Sequence, residues 1–146
     1  MIEINTGEVG ISKGNHILTC RALGSCIALV LIDKQEKLGG IAHIMLPGKA
    51  PPKSKYPTRY AENAIKNLIA KLSSNKSSGC YLAFKIGGGN VLKREDDIIC
   101  KANSISILEI LNEYKIPIIK ESVGGFERRS VKYHVLSSLQ ENYLFL

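Results

Sequence analysis

Two residues of this chain, Cys26 and His43, have side chains suited to covalent catalysis. A cysteine attacks as the thiolate, and because a free thiol has a pKa of about 8.5 it needs a neighbouring base at neutral pH. An imidazole is the side chain most often used as that base. If the two side chains meet, the chemistry they predict is attack of sulfur on a carbonyl carbon.

The elements around these residues predict that they do meet. Cys26 precedes the apolar run 27–32, which has the β-branched and aliphatic composition of a buried strand, and residues 33–37 have the polarity of a turn. A second strand at 38–45 contains His43. A hairpin therefore converts a separation of 17 residues along the chain into a short cross-strand distance.

Gly24 adds a tight turn to this arrangement. Because glycine has no Cβ, the backbone can bend there and point the amides of Ser25 and Cys26 at one spot, where they would hold a developing oxyanion. The opposing interpretation is structural: cysteine is among the most buried residue types, and a histidine between apolar neighbours is often a core residue. Spacing alone favours the structural interpretation, since a cysteine and a histidine form a catalytic signature only within particular families.

Longer motifs change that balance. The cysteine lies in Leu23-Gly24-Ser25-Cys26 and the histidine in Gly40-Ile41-Ala42-His43-Ile44-Met45-Leu46-Pro47, and matching segments follow at 60–65, 85–89, Asn103, 123–125 and 129–133. Together these segments resemble the CheD family, the chemoreceptor glutamine deamidases of bacterial and archaeal chemotaxis. The resemblance covers nearly the whole chain in order, and its cysteine and histidine segments are the specific ones.

The resemblance implies a protein-glutamine deamidase with Cys26 as nucleophile, His43 as base and the backbone amides of Ser25 and Cys26 as oxyanion donors. Receptor glutamines would become glutamates with release of ammonia, and neither a cofactor nor a metal would be needed. Methylated receptor glutamates are further candidate substrates, through ester hydrolysis. The implied partners are the cytoplasmic helices of methyl-accepting chemoreceptors and a CheC-type phosphatase.

The third catalytic position stays open. Six residues before the nucleophile, where the family usually carries a threonine, this chain has Cys20, with Thr19 one place earlier. A slip of one residue along a strand reverses the face of a side chain, so Thr19 can substitute only if a bulge re-aims it. Cys20 could itself form a weak hydrogen bond or simply pack. This departure supports an alternative function, a catalytically weak regulatory module that binds a CheC-type phosphatase or a receptor.

Hydrophobic periodicity predicts an α+β fold with mixed α/β layers. The pattern predicts two helices, and we expect the second to begin after Asp97 or nearer Asn103. The elements predicted after the hairpin are a helix at 61–72, a buried strand at 80–86, a tight loop at 87–90, the second helix ending at Tyr114 and a strand at 116–120. The loop at 87–90 lacks the spacing of a phosphate-binding fingerprint. The family resemblance sharpens the prediction to two β layers with helices packed outside.

Composition indicates the class of protein. A chain of 146 residues is near the commonest size of a single domain, so we expect one domain over residues 1–146. No apolar stretch approaches the length of a bilayer span, and the N-terminus lacks the order of a signal peptide, so we expect a cytoplasmic protein without membrane insertion. The net charge of +7 favours acidic partners. Aromatic residues that would stack bases are scarce, which makes nucleic-acid binding a minor alternative.

Two further expectations concern the surroundings of the site. Of the four cysteines (Cys20, Cys26, Cys80 and Cys100), none is in CxxC spacing, so we expect neither disulfides nor a zinc site. We expect Cys26 to be the only strongly activated thiol among them. The irregular segment 49–56 follows the histidine strand and is a candidate border of the substrate cleft.

Overall fold

The computed structural model describes residues 1–13, 16–94 and 98–134. Within these ranges the chain forms eight strands, two α-helices and one short 3₁₀ helix. The strands are β1 (Ile2–Glu3), β2 (Val9–Ser12), β3 (Ile17–Leu23), β4 (Ile27–Asp33), β5 (Leu38–Ile44), β6 (Leu82–Gly87), β7 (Ile118–Val123) and β8 (Arg129–His134). The helices are the 3₁₀ helix Pro57–Arg59, α1 (Ala61–Ser74) and α2 (Ile99–Glu113).

The strands form two sheets. The larger sheet has the order β2-β5-β4-β6-β7, and its neighbouring strands are antiparallel except β6 and β7. The smaller sheet has the order β1-β3-β8, with β1 parallel and β8 antiparallel to β3. Both helices pack on one face of the larger sheet, and the smaller sheet packs on its other face. The predicted α+β architecture of two β layers with helices outside is confirmed.

β4 and β5 form the predicted hairpin at the centre of the larger sheet. Their register pairs Ile27 with Ile44 and Asp33 with Leu38, and every residue of both strands is buried. The Asp33 carboxylate closes the turn by accepting hydrogen bonds from the turn backbone and from Ser78. A continuous apolar run suits this position because the strand is covered on both faces.

Successive residues of β4 divide between two apolar cores. Ile27 and Leu29 contact the helices, whereas Ala28 and Val30 contact the smaller sheet. Burying one such aliphatic side chain contributes about 1.5–3 kcal/mol, so a slip of one residue that exchanged the two sets would be costly. This register places Cys26, two residues before Ala28, on the face between the sheets.

α1 is the amphipathic helix that the periodicity predicts. Its buried side chains recur at helical spacing and pack on the larger sheet: Ala61, Ala64, Ile65, Leu68 and Leu72. None of the helices in the described ranges has the length and apolar character needed to cross a membrane.

The later elements differ from the predicted ones in their bounds, and β7 ends at Val123, three residues later than predicted. α2 begins at Ile99, which agrees with the predicted start after Asp97 and not with one nearer Asn103, and Asn103 lies in its second turn. Asp96 and Asp97 themselves lie outside the described residues. β6 begins at Leu82 and β7 at Ile118, each two residues later than predicted. For β7 the reason is Pro117, which has no N–H to donate to a ladder.

Candidate active site

Cys26 ends the short turn between β3 and β4, and its side chain is half-buried. The glycine loop after β6 supports this turn: Gly88 N–H donates to Cys26 O and Gly89 N–H donates to Gly24 O, both at 2.9 Å. Gly87 has a φ of +119°, and a Cβ there would collide with the carbonyl oxygen of Cys26. The loop predicted at this place therefore supports the turn that ends at Cys26, and only glycine fits at its first position.

His43 lies in β5 directly opposite Ala28 of β4. Paired residues of an antiparallel ladder share a face of the sheet, and Cys26, two residues before Ala28, shares it as well. Cys26 and His43 are thus diagonal neighbours across the hairpin, and such positions, about 7–8 Å apart, are within reach of long side chains. The hairpin thus places the two predicted residues at diagonal positions on the same face of the sheet, the face that meets the smaller sheet.

Among the described residues, the imidazole of His43 has a hydrogen-bond partner on one side, at Nδ1. Its Nδ1 lies 2.9 Å from the carbonyl oxygen of Ile4, and the residue is 5% exposed. A carbonyl can only accept a hydrogen bond, so Nδ1 carries the proton and Nε2 has the free lone pair. The Ile4 N–H in turn donates to Thr19 O at 2.8 Å, which fixes the acceptor against β3. The tautomer is the one that a general base at Nε2 requires.

Burial shifts both candidate catalytic groups toward their neutral forms. It raises the pKa of the Cys26 thiol. It also lowers the pKa of His43, although the Ile4 carbonyl and the charges of Glu8 and Glu3 act in the opposite direction. In the part of the chain that the structure describes, no hydrogen bond joins Cys26 Sγ to the imidazole. In the resting protein both groups therefore favour their neutral forms, and the expectation that Cys26 is the only strongly activated thiol stays a prediction.

Cys20, at the position where a threonine was expected, lies between the sheets. It is fully buried, and its Sγ donates to the same Ile4 carbonyl at 3.4 Å. Burial first, then the charge of Glu3 and the nearby Cys26, raise the pKa of Cys20 to about 12. Cys20 thus contacts the group that anchors His43 and remains a neutral thiol.

Thr19, the alternative third residue, points the other way. It alternates with Leu18 and Cys20, which both belong to the core between the sheets. Its hydroxyl donates to Val131 O at 2.9 Å. The register of β3 with β8 shifts only between Cys20 and Leu23, after Thr19, so this irregularity does not turn Thr19 toward His43.

Two groups at the site were not identified from the sequence. One is the Ile4 carbonyl, and the other is the side chain of Asn103, whose Nδ2 donates to Ser25 O and Met45 O. A backbone carbonyl leaves no signal in residue type. Asn103 does leave one, because it occupies the same helical face as the buried Ile107 and Ile110.

Two clefts are lined in part by Cys26, with volumes of about 260 Å³ and about 440 Å³. Ser25, Cys26 and Leu92 line both, and Leu92 is 66% exposed. The smaller cleft is completed by Ala22, Gly24, Gly89, Val91 and Arg128, and the larger by Met45, Leu46, Arg94, Ile98 and Ile99. Residues 49–56 line neither cleft, so that part of the expectation is corrected.

Other parts of the described structure bring together fewer side chains that could act as nucleophile, base or metal ligand. A cleft of about 580 Å³ between α2 and β7 contains Lys85, whose Nζ lies 3.2 Å from a carboxylate oxygen of Glu121, but its lining holds no cysteine or histidine. Within the described ranges, no three His, Cys, Asp or Glu side chains come together as a metal site. The four cysteines are all free thiols.

Comparison with known proteins identifies relatives of this chain. Residues 45–139 match the family model CheD, described as CheD chemotactic sensory transduction. The chain is 30% identical over 133 residues to the chemoreceptor glutamine deamidase CheD of Thermotoga maritima, an alignment that covers 90% of this chain and 84% of that protein. It is 30% identical over 146 aligned positions to the protein of the same name from Bacillus subtilis, covering 95% of this chain and 88% of the relative.

A third relative is longer than this chain. The probable chemoreceptor glutamine deamidase CheD of Chlorobium luteolum is 37% identical over 125 residues, which cover 84% of this chain but 62% of that protein. The family model begins after Cys26 and His43, whereas the Bacillus alignment leaves out only 5% of the chain and so extends over both.

Proposed function

The chain belongs to the CheD family of chemotactic sensory transduction proteins, and from this we propose that it deamidates glutamine side chains of chemoreceptors. The observation that carries the proposal is the placement of Cys26 and His43 as diagonal neighbours across the hairpin, with Cys26 lining two clefts and Nδ1 of the imidazole held by the Ile4 carbonyl. The substrate class comes from the names of the relatives.

In the first step the thiol proton moves as the bond to carbon forms. His43 Nε2 accepts the proton from Cys26 Sγ while sulfur attacks the amide carbon of the glutamine, because burial disfavours a thiolate before that moment. The amide oxygen becomes an oxyanion. The backbone N–H groups of Ser25 and Cys26 stabilise this charge as hydrogen-bond donors.

The second half returns the enzyme to its starting state. The imidazolium of His43 gives its proton to the departing nitrogen, ammonia leaves, and the glutamyl carbonyl remains bound to Cys26 as a thioester. Water then attacks the thioester while His43 removes a proton, and that proton returns to the sulfur as the carbon–sulfur bond breaks. The balance is one glutamine amide and one water consumed for one glutamate and one ammonia.

The surroundings of Cys26 suit a large polar substrate. Arg94 and Arg128 each border one cleft, and the chain as a whole carries a net charge of +7, which would speed encounter with an acidic receptor helix. We place the reaction in the cytoplasm, at the cytoplasmic helices of methyl-accepting receptors. Methyl esters of receptor glutamates would follow the same path, with methanol leaving instead of ammonia.

A regulatory binding module is the second candidate. It is favoured by Cys20 in place of the usual threonine and by the burial that raises the pKa of Cys26. In this role the clefts would bind a receptor or a CheC-type phosphatase with little turnover. A CheC-type phosphatase is also compatible with the enzymatic role, as a partner that links adaptation to the response-regulator signal.

The two candidates are separated by incubating the protein with a purified receptor cytoplasmic fragment and mapping peptides by mass spectrometry. The enzymatic proposal requires the mass increase of an amide converted to a carboxylic acid at particular glutamines. Cys26→Ser should abolish it, and Cys80→Ser, which alters an exposed thiol away from the site, should not. Binding of the fragment without any mass change would contradict the deamidase proposal and favour the module.

A further inference from the structure

We propose that Asn103 is a positioning residue for deamidation: it holds the peptide group between Ser25 and Cys26 so that the Cys26 N–H is fixed as the oxyanion donor. This inference rests on the proposed deamidase function and adds a residue that aligns its machinery. The contact that carries it runs from α2 to the turn before the nucleophile.

The side-chain amide of Asn103 joins the two catalytic strands at their ends. Asn103 is fully buried, and its Nδ2 donates to Ser25 O at 3.0 Å and to Met45 O at 3.1 Å. Ser25 directly precedes the nucleophile, and Met45 follows His43 by two residues. One NH₂ group therefore ties the nucleophile turn to the end of the histidine strand.

The orientation of this amide follows from its neighbours. Two carbonyl oxygens lie beside the atom assigned as Nδ2, and only the NH₂ end of an asparagine can donate to both. Within the described residues the buried Oδ1 of Asn103 has no hydrogen-bond partner. The side chain is therefore held at its end by the two donated bonds, both directed at the active-site backbone.

Holding the Ser25 carbonyl also sets the direction of the next N–H. The carbonyl of Ser25 and the N–H of Cys26 belong to one planar trans peptide group, so they point in opposite directions and move together. A hydrogen bond accepted by the carbonyl polarises that N–H as well. In the described part of the chain no hydrogen bond uses the Cys26 N–H, which leaves it available to a substrate oxyanion.

A role in aligning the oxyanion donor can be distinguished from a purely structural role. Loss of a purely structural residue would slow every reaction of the Cys26 thiol, whereas loss of an aligning residue would slow only a reaction that forms an oxyanion. Deamidation passes through a tetrahedral oxyanion and needs the Cys26 N–H. Alkylation of the same sulfur by iodoacetamide displaces iodide at a saturated carbon and forms no oxyanion. Loss of Asn103 should therefore slow deamidation while the alkylation rate of Cys26 stays close to that of the wild type.

The test uses Asn103→Ser and the near-isosteric Asn103→Asp, with Asn63→Ser as the matched control. Asn63 also joins a helix to a loop, since its Oδ1 accepts the Ala50 N–H at 2.9 Å, but this contact lies outside the two clefts. Thermal melts followed by circular dichroism confirm folding. For both Asn103 variants we expect kcat on the receptor fragment to fall by about 10-fold to 100-fold, less than or equal to the loss of a whole oxyanion donor, with little change in KM.

A second readout reports on the peptide group itself. The ¹⁵N resonance of the Cys26 amide depends on the hydrogen bond accepted by the Ser25 carbonyl, so it should shift in Asn103→Ser and stay in place in Asn63→Ser. Equal losses of deamidation and alkylation, an unchanged kcat, or an unmoved Cys26 resonance would each overturn the inference. Absence of deamidation by the folded wild-type protein would instead overturn the proposed function on which it rests.

Discussion

The carbonyl oxygen of Ile4 accepts the Nδ1 proton of His43 across 2.9 Å. The same short N-terminal segment holds the backbone of the histidine, since His43 N–H donates to Glu8 O and Gly7 N–H donates to His43 O. A main-chain acceptor here takes the part that a side-chain acceptor takes in Ser-His-Asp triads, fixing the tautomer and the ring direction. It carries no full negative charge, so it stabilises an imidazolium less than a carboxylate would.

The pH dependence of activity should follow the neutral fraction of His43. Burial lowers its pKa, so the base stays unprotonated to a pH below the ordinary value of about 6.5. We expect kcat/KM to rise with pH through a midpoint below about 6.5 and then to level off. Initial rates on a receptor fragment measure this, and a midpoint clearly above that value would contradict a buried neutral base.

The same shift makes the stability of the fold depend on pH. As the pH falls below about 6.5 the unfolded chain binds a proton at residue 43 before the folded one does, so stability is full above that pH and is lost as the pH falls through the folded pKa. Between about pH 7.5 and about pH 5.5 the melting temperature of the wild type should fall more than that of His43→Gln. Equal losses of melting temperature in the wild type and in His43→Gln would contradict a contribution of His43 to the pH dependence of stability.

Substitution of Cys20 tests the third position. Cys20→Thr supplies a hydroxyl where the thiol now donates to Ile4 O, and a hydroxyl is the better donor. We expect Cys20→Thr to match or exceed the wild-type rate. Cys20→Val has the same branched shape without the donor, and it should be slower than Cys20→Thr by about 2-fold to 10-fold, the value of one hydrogen bond. Identical rates for the two variants would assign Cys20 to packing alone.

Gly87 offers a test of how the glycine loop supports the turn that ends at Cys26. Gly87→Ala places a Cβ against the carbonyl oxygen of Cys26 and also strains a backbone with a φ of +119°. Gly79→Ala strains a backbone with a φ of +84° but meets nothing within 4 Å, so it isolates the conformational cost. We expect both to lower the melting temperature and only Gly87→Ala to lose most deamidase activity. Comparable deamidase activities of Gly87→Ala and Gly79→Ala would show that activity tolerates a displacement of the turn that ends at Cys26.

Thiol labelling separates exposure from catalysis. Cys80 is exposed and should react with iodoacetamide as an ordinary thiol, whereas Cys20 and Cys100 are buried and should react slowly. Cys26 is half-buried and its pKa is raised, so its rate should depend on the base beside it. In His43→Gln we expect labelling of Cys26 to slow while labelling of Cys80 is unchanged, as read from digested peptides. An equal labelling rate of Cys26 in the wild type and in His43→Gln would show that His43 does not act as a base toward the Cys26 thiol.

The sequence was informative where side-chain type determines the outcome. The apolar run after Cys26, the polar turn and the strand containing His43 predict the hairpin, because strand periodicity and turn chemistry are local properties. The two reactive residues could be named for the same reason. Ile4 could not, because its contribution is a backbone carbonyl placed by the pairing of β1 with β3, a contact between distant parts of the chain.

The starting points of elements were predicted less well than their existence. α2 opens four residues before Asn103, as the prediction of a start after Asp97 allowed, and Asn103 lies in the core beneath the turn that ends at Cys26. Only tertiary packing of α2 on the sheet determines which residues its buried amide meets. The resting pKa of Cys26 is likewise set by burial, which the sequence does not specify.

Detection of the covalent intermediate tests the central claim most directly. The protein is mixed with a receptor fragment, quenched in acid during the first turnovers, digested, and searched by mass spectrometry for a thioester that joins a receptor glutamyl group to a cysteine. We expect the thioester on Cys26 alone, at glutamines that later appear as glutamates, and no adduct in Cys26→Ser. Deamidation that continues in Cys26→Ser, or an adduct on Cys20, Cys80 or Cys100 instead, would contradict the account.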